Sequence, residues 1–343
     1  MIKQVSPNDQ SKQAVLVTGG AGYIGSHVCK ALSQEGYQPI VYDNLCRGFQ
    51  WAVKWGPLIV GNLADHDSLC RTIVEHAPVG VIHLAGYAYV GESVEQPDLY
   101  HQNNVVGTEV LLSALAQSAG AASPMVFSST CSIYGDQVTT GLSEDLPPNP
   151  MNPYAKGKLQ IENMLIDAER NSGAPFVALR YFNASGADPS TEIGEAHDPE
   201  THLIPLVLEV AAGMREEIVV FGTDYGTPDG SCVRDYVHVT DLAAAHVSAL
   251  RYLLDGGRSG VMNLAHGSGY SVLEVIAAVE RVTGKEVRYR KGARRPGDPA
   301  TLVGDATLAK KTLDWKPRYS DLDTQIDHAW AWFRSYHKIP GDP

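Results

Sequence analysis

The sequence predicts an α/β protein: a doubly wound parallel sheet with a smaller C-terminal α/β domain. Three observations carry that expectation. Short apolar, β-branched runs alternate with helical patterns through the first two-thirds of the chain. A glycine loop, Gly19-Gly20-Ala21-Gly22-Tyr23-Ile24-Gly25, joins the first run to the first helical pattern. After Tyr181 the texture changes to loop-rich chain with scattered, shorter elements. Parallel strands are buried on both faces, so they read as continuous apolar runs, and each crossover between them needs a helix.

The elements follow in order. Strands are expected at residues 14–18, 39–42, 80–83, 124–128 and 176–179. Helices are expected at 23–34, 65–75, 105–119 and 153–171. Residues 184–199 are rich in Gly, Pro, Ser, Asp and Glu and read as loop. Beyond them come helices at 205–213, 240–254 and 272–283, and strands at 218–221 and 261–264. The expected division is a Rossmann-type domain over 1–182, with a returning segment at about 232–266, and a substrate domain over 183–343.

Bulk properties narrow the function classes. Net charge is −12, with both signs interspersed and no charged tail. Such a surface repels phosphate backbones, which argues against nucleic acid as a partner. The five cysteines form no CxxC pair, which argues for a reducing compartment. The polar start, residues 1–13, has no signal-peptide stretch, and no apolar run approaches a membrane span. A soluble cytoplasmic protein with no membrane partner is expected. The twelve histidines form no HExxH, and none joins Cys or Asp at ligand spacing, so no metal ligands are expected.

The glycine loop follows a strand and opens a helix, the context a dinucleotide site requires. Gly19 allows the tight turn, Gly22 lets a pyrophosphate approach the backbone, and Gly25 lets helix and strand pack closely. The helix N-terminus then presents partial positive charge to the phosphates. Asp43 ends the next strand, 24 residues after Gly19. A carboxylate there accepts from an adenosine ribose and repels a 2′-phosphate, favouring NAD over NADP, with Arg47 nearby.

Tyr154 and Lys158 stand four residues apart at the start of a helix that Asn152 caps and Pro153 opens. Positions 154, 158, 161 and 165 share one face, so the pair shares its stripe with Ile161 and Leu165 and turns inward. A tyrosine titrates near pH ~10. A neighbouring ammonium and a positive nicotinamide ring would favour its phenolate and make it a base. On an ordinary surface helix the same spacing is only a tyrosine stacked on a lysine stem. The run Ser128-Ser129-Thr130-Cys131-Ser132 follows a strand, where open α/β sheets bind ligands. Thr130 there could bond a reacting sugar oxygen, although such runs more often make turns or caps.

Together these residues resemble the UDP-glucose 4-epimerase family of extended short-chain dehydrogenase/reductases. The resemblance runs from Val15 to about Trp332. It rests on VTGGAGYIGSH (17–27), YDNL (42–45), VGES (90–93), NNVVGT (103–108), FSST (127–130) and NPYAKGK (152–158). LRYFNASGADP (179–189), FGTDY (221–225), DGSCVRDYVHVTDLA (229–243) and RRPGD (294–298) extend it. It implies an NAD-dependent isomerase that interconverts UDP-galactose and UDP-glucose. Tyr154 would be the acid/base, Lys158 would tune it and hold the nicotinamide ribose, and Thr130 would touch the sugar O4.

The resemblance implies further cofactor contacts. They are Gly19, Gly22, Tyr23, Ile24 and Gly25 in the loop, Asp43 and Asn44 after the second strand, and Asn62 and Leu63 near the adenine. Leu84, Ala85, Gly86, Asn103, Ser128 and Tyr181 complete that set with Tyr154 and Lys158. On the substrate side it implies Asn183, His202, Leu203, Val220 and Phe221 besides Thr130 and Tyr154. Arg234, Arg295 and Asp298 would hold the UDP phosphates and ribose, and Thr301 would border the sugar. It also implies a homodimer through a bundle of the Val105 and Pro153 helices.

Several positions depart from the family. Ala88 replaces a lysine near the cofactor, and Asn62 replaces an aspartate at the adenine. Thr301 replaces a bulky tyrosine, which in the family goes with acceptance of N-acetylated sugars. Cys131 and Ser132 follow Thr130 where a 4,6-dehydratase carries an Asp-Glu pair and a UDP-glucuronate decarboxylase commonly carries a glutamate. A UDP-xylose/UDP-arabinose 4-epimerase would share the whole site. From another class, a non-catalytic NAD-sensing regulator could keep the fold.

Overall fold

The computed structural model describes residues 12–118, 122–137, 141–295 and 298–339. Residues 1–11 of the polar start, Ala119 at the end of an expected helix, and Pro296-Gly297 of the RRPGD motif lie outside the described residues.

In chain order the first layer runs β1 (Ala14–Thr18), α1 (Tyr23–Gln34), β2 (Gln38–Asp43), β3 (Leu58–Val60), α2 (His66–His76) and β4 (Val81–His83). Two short helices follow, α3 (Val90–Glu95) and α4 (Pro97–Tyr100), then a π-helical turn (His101–Val106) that runs into α5 (Gly107–Ser118). β5 (Met125–Thr130), α6 (Pro153–Ser172) and β6 (Phe176–Tyr181) complete this part. The remainder holds β7 (Asn183–Ser185), α7 (Leu203–Ala211), β8 (Ile218–Phe221), β9 (Val233–His238), α8 (Val239–Leu254) and β10 (Gly260–Leu264). It ends with β11 (Gly269–Ser271), α9 (Val272–Thr283), β12 (Tyr289–Gly292), β13 (Thr301–Leu302), α10 (Thr307–Leu313) and α11 (Leu322–His337).

The main sheet has seven parallel strands in the order β3-β2-β1-β4-β5-β6-β10. Strand order reverses direction between β1 and β4, and a crevice opens at the carboxyl ends of strands at such a switch point. Every residue of β5 is buried, including Ser128, Ser129 and Thr130. Those three hydroxyls are the polar end of an otherwise apolar strand, so their partners decide the geometry of the site.

The expected return to the sheet at about 232–266 divides in two. β10 joins the main sheet beside β6, and α8 packs on α1 and on the sheet. β9 instead pairs with β7, β11 and β13 in a small separate sheet. A second core gathers Ile204, Leu208, Ile276, Ile326 and Phe333 from α7, α9 and α11. The loop expected at 184–199 is shorter at its start, because β7 occupies its first two residues.

Candidate active site

One cavity of about 400 Å³ lies along the carboxyl ends of β1, β2, β4 and β5. The glycine loop forms its floor. Gly19 has φ +73°, and a β-carbon there would lie 2.6 Å from the Ala85 nitrogen. At Gly25 a β-carbon would meet the Gly19 carbonyl at 2.1 Å, so the fold itself requires glycine. At Gly22 the nearest protein atom would stand 3.4 Å away, an ordinary contact. The protein's own atoms therefore leave room at Gly22. A ligand pressed against the backbone explains a glycine there, and a dinucleotide pyrophosphate fits that requirement.

Asp43 braces the same loop. Its carboxylate accepts from the Ala21 N–H at 3.0 Å and the Leu45 N–H at 2.8 Å. Burial raises its pKa, and those two backbone bonds hold it down against the rise. Arg47 lines the cavity but is committed: it pairs with Glu92 at 2.6 Å and lies over the rings of Tyr87 and Tyr89. A guanidinium so held is not free to meet a 2′-phosphate. Ala88 lines the cavity with those two tyrosines and Arg47.

The helix α6 starts as its sequence implies. Asn152 accepts from the Ala155 N–H at 2.9 Å, Pro153 occupies the first turn, and the chain ends left-handed at Gly173. Lys158, Ile161 and Leu165 are buried and Tyr154 is half-buried. Tyr154, Lys158 and Thr130 all line the cavity that the glycine loop opens. The Lys158 ammonium donates to the Ser128 carbonyl at 2.7 Å and lies over the Phe127 ring. Burial lowers its pKa to about 8, against a raising pull from Glu162.

Tyr154 is a neutral phenol in the protein alone. Burial, and then its neighbour Tyr181, push its pKa up, while the Thr130 hydroxyl pulls the other way. The ammonium lies 5.8 Å from the centre of its ring, aimed at Ser128 and not at the phenol oxygen. Desolvation therefore wins in the protein alone, and the phenol is neutral until positive charge is added nearby. Thr130 does serve as a cap, accepting from the Ser132 N–H at 3.1 Å. That bond uses a lone pair and leaves the hydroxyl proton free to donate into the cavity. Tyr181 is hydrogen-bonded to the Ser128 hydroxyl.

Residues not singled out in the sequence support this geometry. Glu162, one turn beyond Lys158, takes a bidentate pair from Arg180 at 2.9 and 2.6 Å and a bond from the Ser129 hydroxyl. Arg180 also donates to Tyr134, whose hydroxyl donates to Asn263. This buried chain ties α6 to β5, β6 and β10. Asn104, on the π-helical turn, clamps Tyr87 through both its N–H and its C=O. Such turns often mark functional sites, and this one brings Asn103 to the cavity wall.

The cavity gathers Gly19, Gly22, Tyr23, Ile24, Gly25, Asp43, Asn44, Leu63, Leu84, Ala85, Gly86, Asn103, Ser128, Tyr181, Asn183 and His202 with Tyr154, Lys158 and Thr130. Asn62 lies outside it; its side chain accepts from the Ala64 N–H. The remaining substrate-side candidates sit apart from its walls. Val220 is fully buried in the second core, so its side chain is structural and only its backbone can meet a ligand. Arg234 pairs with Asp298, and the Arg295 guanidinium lies over Phe221 with 4.1 Å to the ring centre. Arg234 acts on the Cys131 thiol, which lines the cavity, so this group adjoins the cavity at Cys131. Leu203 opens α7, and Thr301 is exposed beside Val233 in the small sheet.

One further group bears on the expectation that no residues ligate a metal. Glu195, His197, Glu200 and His202 converge, each with one donor atom within 4.8 Å of the others. The histidines were weighed against Cys and Asp, whereas their partners are glutamates in a Glu-x-His-x-x-Glu-x-His run. Burial alone would lower His197, but Glu195 and Glu200 raise it to about 9. The same opposition raises His202 to about 10.

A glycine loop, an inward Tyr-x-x-x-Lys and a hydroxyl at the end of β5, all on one cavity, call for NAD-linked chemistry at a carbinol. The model of the NAD dependent epimerase/dehydratase family matches residues 15–265. The chain belongs to that family. It is 48% identical to the UDP-glucose 4-epimerase of Rhizobium meliloti over 93% of this chain and 96% of that one. The crystal structure of UDP-glucose 4-epimerase from Brucella ovis in complex with NAD superposes with a TM-score of 0.91 at 48% identity. It covers 94% of this chain and 98% of that one. A UDP-glucose-4-epimerase from Stenotrophomonas maltophila, with bound NAD and formylated UDP-arabinopyranose, gives a TM-score of 0.91 at 40% identity. There the cover is 96% of this chain and 100% of that one. These relatives are thus matched over nearly their whole length.

Proposed function

We propose that the protein is a UDP-glucose 4-epimerase, an NAD-dependent isomerase that interconverts UDP-galactose and UDP-glucose by transient oxidation at sugar C4. The observation that carries this reading is the placement of Tyr154, Lys158 and Thr130 on the cavity floored by the glycine loop. Cys131 and Ser132 line the same wall. They offer no carboxylic acid for elimination or decarboxylation.

Gly19, Gly22, Gly25 and Asp43 would hold the dinucleotide, with Lys158 on the nicotinamide side. Bound NAD supplies a reversible hydride acceptor for C4. Tyr154 takes the 4-hydroxyl proton and later returns it. Because burial raises this phenol, it serves as a base only when positive charge is added beside it, and Lys158, held on the Ser128 carbonyl, does not supply that alone. Thr130 donates to the sugar O4 and fixes its distance from Tyr154. Asn183, His202, Leu203, Phe221, Arg234, Arg295, Asp298 and the Val220 backbone would hold the nucleotide sugar.

The division follows the same logic: residues 1–182, with a returning segment at about 232–266, would hold the cofactor, and the rest of residues 183–343 the UDP-sugar. In the family resemblance a small residue at the Thr301 position goes with N-acetylated sugars, which supports acceptance of UDP-N-acetylhexosamines. The Stenotrophomonas relative holds a UDP-arabinopyranose derivative, which supports a pentose reading as the second one. A homodimer through α5 and α6 and a cytoplasmic location complete the proposal. All five cysteines are free, and among the described residues no helix is long and apolar enough to cross a membrane.

The test incubates purified protein separately with UDP-galactose, UDP-N-acetylgalactosamine and UDP-arabinose, first without and then with added NAD. C4 inversion of UDP-galactose is expected. No inversion of any of the three overturns the reading, and turnover of UDP-arabinose alone moves it to the pentose enzyme.

A further inference from the structure

The loop between β7 and α7 folds four donors of one short run onto each other. The His197 Nδ1 lies 3.3 Å from Glu195 Oε1 and 3.3 Å from Glu200 Oε2. The His202 Nδ1 lies 3.0 Å from Glu195 Oε1 and 2.9 Å from Glu200 Oε1. Each imidazole nitrogen therefore lies between the two carboxylates, Glu195 through one oxygen and Glu200 through both. Zinc bonds of ~2.0–2.1 Å in a tetrahedron put every pair of ligand atoms about 3.3–3.4 Å apart. The four imidazole–carboxylate distances lie near that value, and one donor atom of each residue stands within 4.8 Å of the others.

The ligands are also oriented from behind, as metal ligands are. Glu200 Oε1 accepts from the Thr201 and His202 N–H groups, which leaves Oε2 as its freer oxygen. The Trp332 indole donates to the Glu195 carbonyl, and at Gly194 a β-carbon would collide with that indole at 2.1 Å. The segment is thus seated on α11. Tyr23 and Tyr89 set their rings edge-on against His197 and close one side. His202 is 45% exposed and, like Glu195 and His197, lines the cavity, so an ion can enter from the cavity at His202.

We propose that Glu195, His197, Glu200 and His202 form a binding site for one divalent transition-metal ion of the zinc class. Two neutral imidazoles and two carboxylates carry a charge of −2, which a dication cancels. Each imidazole gives its Nδ1 proton to solvent as the metal–nitrogen bond forms. Mixed nitrogen and oxygen donors favour zinc, cobalt or nickel over magnesium and calcium, which prefer oxygen alone. The bound ion pins residues 195–202 to the cavity rim beside Tyr23 and Tyr89.

The readout is the metal, so the test stands apart from the epimerase reading. Full-length protein is stripped with chelator and titrated with Zn²⁺ and separately with Co²⁺. The background carries Cys46→Ser and Cys70→Ser, because Cys46 is exposed and the Cys70 thiol lies 3.7 Å from His66. One equivalent per chain is expected, with Co²⁺ giving visible d–d bands and excess Mg²⁺ failing to compete. Glu200→Gln and, separately, the milder His202→Gln should each weaken uptake at least tenfold, with unchanged far-UV circular dichroism. No stoichiometric uptake overturns the proposal. So does uptake that both variants retain, or uptake that the cysteine replacements alone abolish.

Discussion

The Lys158 ammonium donates to the backbone carbonyl of Ser128 at 2.7 Å. This bond crosses from α6 to the end of β5 and fixes a positive charge under the cavity. Burial lowers the folded pKa to about 8 from 10.5. Between those values the unfolded chain keeps a proton that the folded chain has released, so this group makes stability rise with pH across that window. In Lys158→Met the contribution is absent, while every other alkaline titration is shared. The stability of wild type minus variant should therefore climb from pH 8 to 10, by at most ~1.4 kcal/mol per unit. Urea unfolding at several pH values reads it. A flat difference would show that Lys158 keeps an ordinary pKa in the folded protein.

Tyr154→Phe removes the proton site and keeps the ring. General acid–base groups contribute roughly 10²- to 10⁴-fold, and C4 inversion should fall within that range or beyond. NAD binding should persist, because the glycine loop and Asp43 do not touch the phenol. Full turnover in this variant would remove Tyr154 from the chemistry. Loss of turnover also speaks against a non-catalytic NAD sensor.

The Glu162–Arg180 pair is buried and bidentate, with side chains 2% and 6% exposed. Removing one partner of such a pair costs about 3–5 kcal/mol, because the other is left charged and unpaired. Arg180→Met should destabilise by that amount in urea. Glu162→Gln, which keeps the bond from Ser129 and part of that to Arg180, should cost less. If the two cost the same, the loss is one of packing and not of charge.

The site was more legible than its surroundings. Tyr154 and Lys158 could be placed because Asn152, Pro153 and the apolar stripe are local signals. The partners of Thr130 and Ser128 were not readable, since β5 meets Tyr181 and Lys158 only after a crossover. Residues 322–337 carried an Asp321 cap and a stripe through Leu322, Ile326 and Phe333, yet that helix went unassigned among its many aromatic and histidine residues. β7, β9, β11 and β13 are short and pair across long stretches of chain, so no local period announces them. Sequence spacing gives the proximity of Tyr154 to Lys158 but not the direction of its ammonium, which goes to the Ser128 carbonyl.

Gly22 and Gly25 separate what the fold needs from what a ligand needs. A β-carbon at Gly25 would meet the Gly19 carbonyl at 2.1 Å and Gly20 at 2.8 Å, both backbone atoms that cannot swing aside. Gly25→Ala must therefore shift α1 against β1, and overpacking of this kind costs about 1–3 kcal/mol. At Gly22 the methyl meets only the Gly19 carbonyl at 3.4 Å, and φ there is −83°, open to any residue. Gly22→Ala should leave the melting temperature of the dinucleotide-free protein unchanged and lower NAD affinity at least tenfold, since the methyl occupies the approach of the pyrophosphate. Calorimetric titration with NAD and thermal melts of stripped protein measure both effects. Equal NAD affinity in Gly22→Ala and wild type would place the pyrophosphate away from this loop, and the assignment of Gly22 would fall while that of Gly25 stood.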